Sequence, residues 1–444
     1  MVVGVLRVSK VRAGGAAYYL EVAEKEQGTG IEAPGRWMGE GTPELGLAGV
    51  VAAAEFEAVL AGEDPVTGRV LGVARPRVTV AGFDLTFSAP KSVSLLHALG
   101  DPEVSEAVAA GHAGAVGAAV SYVEDHALAV RRRTVTAPVV VPTAVGGLAA
   151  AGFVHRMSRA LDPHLHTHVV VANVGRGPEG DWSALDGRGV YAHASAVDAL
   201  YHCHLRHELT TRLGVTWDSP DRGRADITGI GPEVRREFSR RASQIATHLA
   251  ERELSSGRAR TVASFATRAG KDPLLGADDL RSQWRDRART VGLGPPQLDA
   301  VLDRAPLRPV PPGDALGSGH PGGLDEEVTR ALGDLRRAVA RRDVVGAWAR
   351  SLPAGAPGPA VEEAADRLLV DLAPESGPRG ERQGPGVAER RYASPSLTPE
   401  RDRRADIERG ELSRLLAGRA IGLDRSDHGR RPLDRDRDLG VGLG

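Results

Sequence analysis

A single cysteine, Cys203, means that no intrachain disulfide can staple this 444-residue chain, and such sparing use fits a reducing compartment. Aromatic residues are scarce too, at 4% beside a hydrophobic total of 41%, so alanine and the branched aliphatics must fill the core. Lysine is almost missing: Lys10, Lys25, Lys91 and Lys271 are the only ones, and arginine carries nearly all the positive charge. The net charge of −1 announces no polyanion partner, so any nucleic-acid contact must come from local patches. No apolar run is long enough to span a bilayer and no signal core opens the chain, which leads to the expectation of a soluble, cytoplasmic protein with no membrane partner. No Gly-x-x-x-x-Gly-Lys-[Ser/Thr] loop is present, so a phosphate-loop ATPase is excluded. Nor is there an internal repeat.

What is present gathers around Phe153–Val174, FVHRMSRALDPHLHTHVVVANV. Two apolar runs flank a break at Ala160–Pro163, and the Asp162-Pro163 pair is a turn signal. The second run is β-branched and ends in a continuous apolar stretch, so an antiparallel hairpin is expected. His166 and His168 are two residues apart on one strand and share a face, and the hairpin brings His155 back towards them. Three imidazoles converging in this way form a facial metal site with open positions. The plainer alternative is satisfied core histidines. His164 has the right parity for a fourth ligand, but it directly follows the turn and is the weaker candidate.

Further signals lie upstream. Val2–Val8 reads as a first strand and Ala16–Glu26 as a helix with Tyr18 and Tyr19 near its start. Those two rings diverge by roughly 100° around the axis, so at most one can face a given site. Val50–Leu60 and Glu103–Leu128 read as helices, and Val78–Phe87 as a strand carrying Asp84. The strand runs into Ser88-Ala89-Pro90-Lys91-Ser92, expected to start a helix with Ser88 as cap and Pro90 in the first turn. Lys91 there opposes the helix dipole, which a bound phosphate would explain; the alternative is a solvated surface lysine. Thr134–Val141 reads as a strand after three arginines, and Trp182–Tyr191 as a short strand and turn.

Ser195–Leu213 reads as a helix with Ser195 as candidate cap and Gly214 beyond its end. Its His202, His204 and His207 are read as ordinary helix positions, because His202 and His204 lie on different faces. Pro232–Glu253 reads as a helix carrying Arg235, Arg236, Arg240 and Arg241. With Glu233 and Glu237 among them they form a solvated charged face, or alternatively a clamp on nucleic-acid backbone. Helices are also expected over Asp278–Val291, Asp325–Ala349 and Ala360–Leu372.

A metal held by neutral ligands keeps much of its charge and can polarise a phosphoryl oxygen in line with a nucleophile. A tyrosine hydroxyl, with an ordinary pKa of about 10, needs such help. Asp84 could orient a histidine ligand or take the proton. The implied chemistry is transesterification, in which tyrosine attacks a phosphodiester and remains attached to it.

At this point the chain resembles a TrwC/TraI-type conjugative relaxase, of the MobF class of HUH endonucleases. The likeness rests on Tyr18-Tyr19, on Trp37-Met38-Gly39-Glu40-Gly41 with Leu45-Gly46-Leu47, and on Gly82-Phe83-Asp84-Leu85-Thr86-Phe87-Ser88-Ala89-Pro90-Lys91-Ser92-Val93-Ser94. The hairpin with His155, Asp162-Pro163 and His166-Thr167-His168 carries it further, as does His207-Glu208-Leu209 leading to Leu213-Gly214. It covers about Met1 to Leu293.

The resemblance implies an α+β fold, a central antiparallel sheet flanked by helices, in a bacterial protein. It implies metal-dependent nicking of single-stranded DNA at an origin of transfer, for plasmid or integrative-element mobilisation. Tyr18, with Tyr19 beside it, would attack the scissile phosphate to give a 5′-phosphotyrosine and a free 3′-OH. Asp84 would assist near the metal. His155, His166 and His168 would hold a divalent cation, Mg²⁺ or Mn²⁺, with Zn²⁺ or Ni²⁺ as alternatives at nitrogen ligands. Lys91, Arg159, Arg235, Arg236, Arg240 and Arg241 are the candidate DNA contacts. Accessory relaxosome proteins, a coupling ATPase and a separate helicase are the implied partners.

Two departures stand out. Leu20–Gly35 has no second tyrosine pair, so a later strand transfer would fall to Tyr19 or to a second turnover. The helicase that usually follows in the family does not arrive, so neither helicase nor ATPase activity is expected. The domain reading is a relaxase domain over 1–300, a Pro/Gly-rich linker over 301–324, a small helical segment over 325–375 resembling the approach to a lost helicase, and a largely disordered tail over 376–444. The competing functional readings are a non-catalytic or degenerate origin-binding protein and a metallo-hydrolase without covalent chemistry.

Overall fold

The computed structural model describes residues 6–20, 33–71, 79–302, 323–372 and 391–392, apart from 134–137, 143–146, 178–179, 336 and most of 253–275. The expected helix continuation to Glu26, most of the linker and nearly all of the tail lie outside the described residues.

A five-stranded antiparallel sheet is the centre of the fold. Its strands are β1 (Arg7–Arg12), β2 (Arg36–Met38), β3 (Val80–Ser88), β6 (Ala150–Met157) and β7 (Pro163–Ala172), in the order β1-β3-β7-β6-β2. A separate ribbon pairs β4 (Ala129–Arg133) with β5 (Pro138–Pro142). Arg7–Arg12 is the first strand among the described residues; most of the expected Val2–Val8 run lies outside them.

Side-chain alternation divides the sheet into two faces. Phe83, Leu85 and Phe87 of β3 and Leu165, Val169 and Val171 of β7 pack into one core with three helices: α3 (Lys91–Leu99), α4 (Pro102–His126) and α5 (Gly187–Leu213). The opposite face carries a smaller aromatic core of Tyr19, Trp37, Phe56 and Phe153, with Tyr19 coming from the helical turn α1 at residues 16–20 and Phe56 from α2 (Ala53–Ala61).

Several boundaries differ from the sequence reading for physical reasons. Helix α5 begins at Gly187, capped by Asp186, and runs through Ser195; it ends as expected at Gly214, whose φ of 66° suits the left-handed cap. Pro232–Glu253 is two helices, α6 (Pro232–Glu237) and α7 (Arg240–Ala250), because the chain breaks to bury Phe238 beneath the Arg287 guanidinium, 4.4 Å from the ring centroid. Arg287 belongs to α8 (Ala277–Thr290), which α9 (Pro295–Ala300) follows.

Asp325–Ala349 also divides, into α10 (Gly323–Gly333) and α11 (Arg341–Ser351), with the short strand Val339–Ala340 between them paired to Arg391–Tyr392. Helices α11 and α12 (Gly358–Asp371) share the main core. Arg206 of α5 is fully buried among them and donates to three carbonyls, those of Gly223 (2.6 Å), Ala349 (3.0 Å) and Leu352 (2.9 Å). No helix among the described residues is long and apolar enough to cross a membrane.

Candidate metal and nucleophile site

The hairpin forms in the expected register. His155 of β6 stands directly opposite His166 of β7, and His168 lies two residues further along the same face. One nitrogen from each of His155, His166 and His168 lies within 4.8 Å of the others. Burial pushes the His155 imidazole down to about 4 and His166 well below its ordinary value, with neighbouring imidazoles adding to the effect. Both rings are therefore neutral at physiological pH and keep the lone pair that a metal needs.

Two of the tautomers are set by hydrogen bonds. His168 Nδ1 donates to the Asp84 carboxylate at 2.9 and 3.0 Å, leaving Nε2 as the free donor atom. His166 Nδ1 lies 2.8 Å from the His164 carbonyl, which can only accept, so its Nε2 is likewise free. His164 itself is not one of the three converging side chains. Its ring stacks on His166, with centroids 4.5 Å apart, at a register shift in the hairpin. Three imidazole nitrogens within one small sphere, two of the rings oriented by hydrogen bonds, fit a divalent cation of borderline softness.

The two tyrosines separate cleanly. Tyr19 is 6% exposed, stacks on Phe153 at 5.7 Å and donates its hydroxyl to Asp84 Oδ2 at 3.0 Å. Burial first, then the Asp84 charge, pushes its ionisation far above the usual tyrosine range. A phenol held this way is a poor nucleophile. Tyr18 is 40% exposed, and its oxygen accepts a hydrogen bond from Arg159 Nη2 at 3.3 Å. Arg159 sits in the hairpin turn, and its charge also acts on His155. The exposed phenol and the imidazole cluster thus share one guanidinium neighbour.

The turn is tied down from outside. Leu161 has a φ of 56°, a left-handed conformation that costs a non-glycine residue roughly 1–2 kcal/mol. Its carbonyl accepts from Trp284 Nε1 at 2.8 Å. Asp162, 1% exposed, accepts from the Arg240 backbone N–H (2.9 Å), Arg240 Nε (2.9 Å) and Arg287 Nη1 (3.0 Å). Asp162, Arg287 and Trp284 escaped the sequence reading. The Asp-Pro pair marked a turn, but nothing local says that an acid will be buried against arginines from distant helices.

The expected DNA contacts occupy varied places. Arg159 and Arg236 are on the surface, the latter donating to the Pro232 carbonyl. Arg235 lies between Asp218 and Asp226, at 3.5 and 3.2 Å, and Arg240 is held by Asp162 and the Ala160 carbonyl. Arg241 reaches Gln244 at 3.4 Å.

The start of α3 needs no phosphate. Asp226 accepts from both the backbone N–H of Ser92 (3.1 Å) and its hydroxyl (2.6 Å), so a carboxylate of the chain itself serves the helix terminus. Lys91 Nζ donates to the Pro163 carbonyl at 2.6 Å, and burial pushes it down to about 8. Pro90, not Ser88, is the cap residue. His204 accepts from the Gly358 N–H at 3.1 Å, in keeping with an ordinary helix position.

Comparison with known proteins agrees with this geometry. The family model described as TrwC relaxase matches residues 8–291, more than half of the chain. The multifunctional conjugation protein TraI of Escherichia coli K12 is 32% identical over 351 residues, 74% of this chain but 19% of that protein. The chain thus spans about a fifth of the length of the curated relatives it matches. Among solved structures, conjugative relaxase TrwC in complex with oriT DNA, in a metal-bound form, has a TM-score of 0.58 at 30% identity, covering 65% of this chain and 99% of that one. TrwC complexed with a 27-mer DNA comprising the recognition hairpin and the cleavage site has a TM-score of 0.56 at 31% identity, with the same coverage. A shared fold, a matched family model and relatives above 30% identity agree, and the chain belongs to the TrwC relaxase family.

Proposed function

We propose that this chain nicks single-stranded DNA at an origin of transfer by tyrosine transesterification, as a conjugative relaxase. The observation that carries the reading is the pairing of an exposed Tyr18 oxygen with Arg159, on the same hairpin that gathers His155, His166 and His168. Tyr18 Oη attacks the scissile phosphorus, the Oη–P bond forms and the P–O3′ bond breaks. The proton lost by the phenol balances the one gained by the departing 3′ oxygen. Arg159 orients the phenol and offers a guanidinium to the phosphate. Asp84 holds His168 in the tautomer that points a lone pair at the cluster, and Tyr19 holds Asp84. A divalent cation bound by the three imidazoles, Mg²⁺ or Mn²⁺ or a softer ion such as Zn²⁺ or Ni²⁺, would supply Lewis-acid polarisation of the phosphate.

The test is a nicking assay on a single-stranded origin oligonucleotide with Mg²⁺ or Mn²⁺. A covalent protein–DNA adduct is expected with the wild type and with Tyr19→Phe, and none with Tyr18→Phe. Tight binding with no adduct in the wild type would instead make the chain an origin-binding protein. Undiminished cleavage by Tyr18→Phe would make it a metallo-hydrolase.

A further inference from the structure

A second cleft lies on the other side of the sheet. Arg156 follows His155 at the register shift of β6, and it faces residues of the helical layer rather than the imidazole cluster. There it lines a cavity of about 410 Å³ with His97 and Gly100 from the end of α3, Glu106 from the first turns of α4, and Arg281 and Arg285 from α8. The cavity bears three guanidiniums against the single carboxylate of Glu106.

The arrangement on α8 is unfavourable as it stands. Arg281 and Arg285 are four residues apart on one face of the helix, about 6 Å along the axis, a spacing at which like charges repel. Among the described residues Arg285 has no carboxylate within ion-pair distance, and Arg281 has only the fully exposed Asp278 at 4.0 Å. Leu280, Trp284 and Ala288 anchor the buried side of the helix, so it is docked independently of the two arginines and presents them to the cleft. His97 sits in the wall, 8% exposed, and burial together with Arg156 and Arg281 pushes it down to about 4, so it offers a neutral ring rather than a fourth cation.

We infer that this cleft is a second anion site, built to hold the phosphodiester backbone of a DNA strand on the face of the sheet opposite the imidazole cluster. Two cations one turn apart, with a third across the cleft, suit a linear polyanion better than a point charge. The choice of DNA rests on the nicking reading, whereas the anion site itself does not. A strand held here would not compete for the hairpin face, because β6 separates the two.

The experiment measures the salt dependence of binding of a long single-stranded oligonucleotide to the full chain, wild type against Arg281→Ala/Arg285→Ala. Each phosphate contact on a single strand contributes about 0.7 to the slope of log K against log salt, so the double variant is expected to lose about 1.4. Both side chains are exposed, and an unchanged melting temperature confirms that the variant folds. An unchanged slope overturns the proposal. Calorimetric titration with inorganic pyrophosphate distinguishes the source of the phosphate. Binding of pyrophosphate that depends on both arginines, with the DNA slope unchanged, would assign the cleft to free phosphates and overturn the DNA assignment. Failure to form a Tyr18 adduct would count against the nicking reading alone and leave the slope test intact.

Discussion

Replacing Asp84 by Asn changes one oxygen for one nitrogen and leaves the shape of the site nearly intact. The carboxylate accepts from His168 Nδ1 at 2.9 Å and from the Tyr19 hydroxyl at 3.0 Å, and both of these are donors. An asparagine offers one acceptor oxygen and one NH₂. If the NH₂ faces His168, the imidazole must accept at Nδ1, which moves its proton to Nε2 and removes the lone pair from the cluster. If the NH₂ faces Tyr19, the phenol must turn within a buried aromatic pocket. Even when the single oxygen serves both neighbours, the negative charge facing the ring is gone.

Loss of such an outer partner typically weakens metal affinity 10–100-fold, about 1.4–2.8 kcal/mol. Calorimetric titration with Mn²⁺ or Ni²⁺ at neutral pH reads it directly. Tyr19→Phe is the control: it removes a donor but keeps the charge and the bond to His168, so its loss should stay below about tenfold. Equal affinity of Asp84→Asn and wild type would refute the reasoning, because it would mean that Asp84 does not set the state of His168.

Other expectations follow from the same contacts. Tyr19→Phe should cost about 1 kcal/mol of stability, the worth of one hydrogen bond, in a chemical denaturation experiment. Arg206→Leu should lower stability by about 3 kcal/mol or more and depress the melting temperature, because the Gly223, Ala349 and Leu352 carbonyls would lose their buried donor. Acid should destabilise the fold through its buried histidines. Burial holds His97 at about 4 and His112 and His193 at about 3, below the roughly 6.5 of an unfolded chain. Above that pH both states are neutral and stability is flat. As pH falls below it the unfolded chain takes up protons that the native state refuses, costing up to about 1.4 kcal/mol per pH unit for each histidine. Denaturant midpoints that do not fall between about pH 7 and pH 5 would contradict this.

The elements built from local pattern were legible in advance. Alternation along β3 and β7 and a turn signal at Asp162-Pro163 were enough to bring His155 opposite His166 and to set His168 on the same face. Features decided by partners far along the chain were not. Asp226 serves the start of α3 from 134 residues away, so Lys91 looked as though it awaited an anion. Phe238 breaks a charged helix because it is needed in the core, and charge spacing carries no sign of that. The choice between Tyr18 and Tyr19 is of the same kind. Helical geometry said that they diverge, but only the placement of Phe153 and Asp84 decides which one is buried.

The strand that carries His166 and His168 is also anchored from behind. Thr167, between His166 and His168, reaches the opposite face, where its hydroxyl lies 2.8 Å from His112 Nε2, and His112 in turn contacts the Tyr201 hydroxyl at 2.9 Å. A slip of β7 by one position would turn both histidines into the helical layer and push Thr167 into their place. A cation held by the three imidazoles would therefore be taken up only after this strand has found its mate, which would make a simple metal titration a report on whether a preparation has assembled correctly.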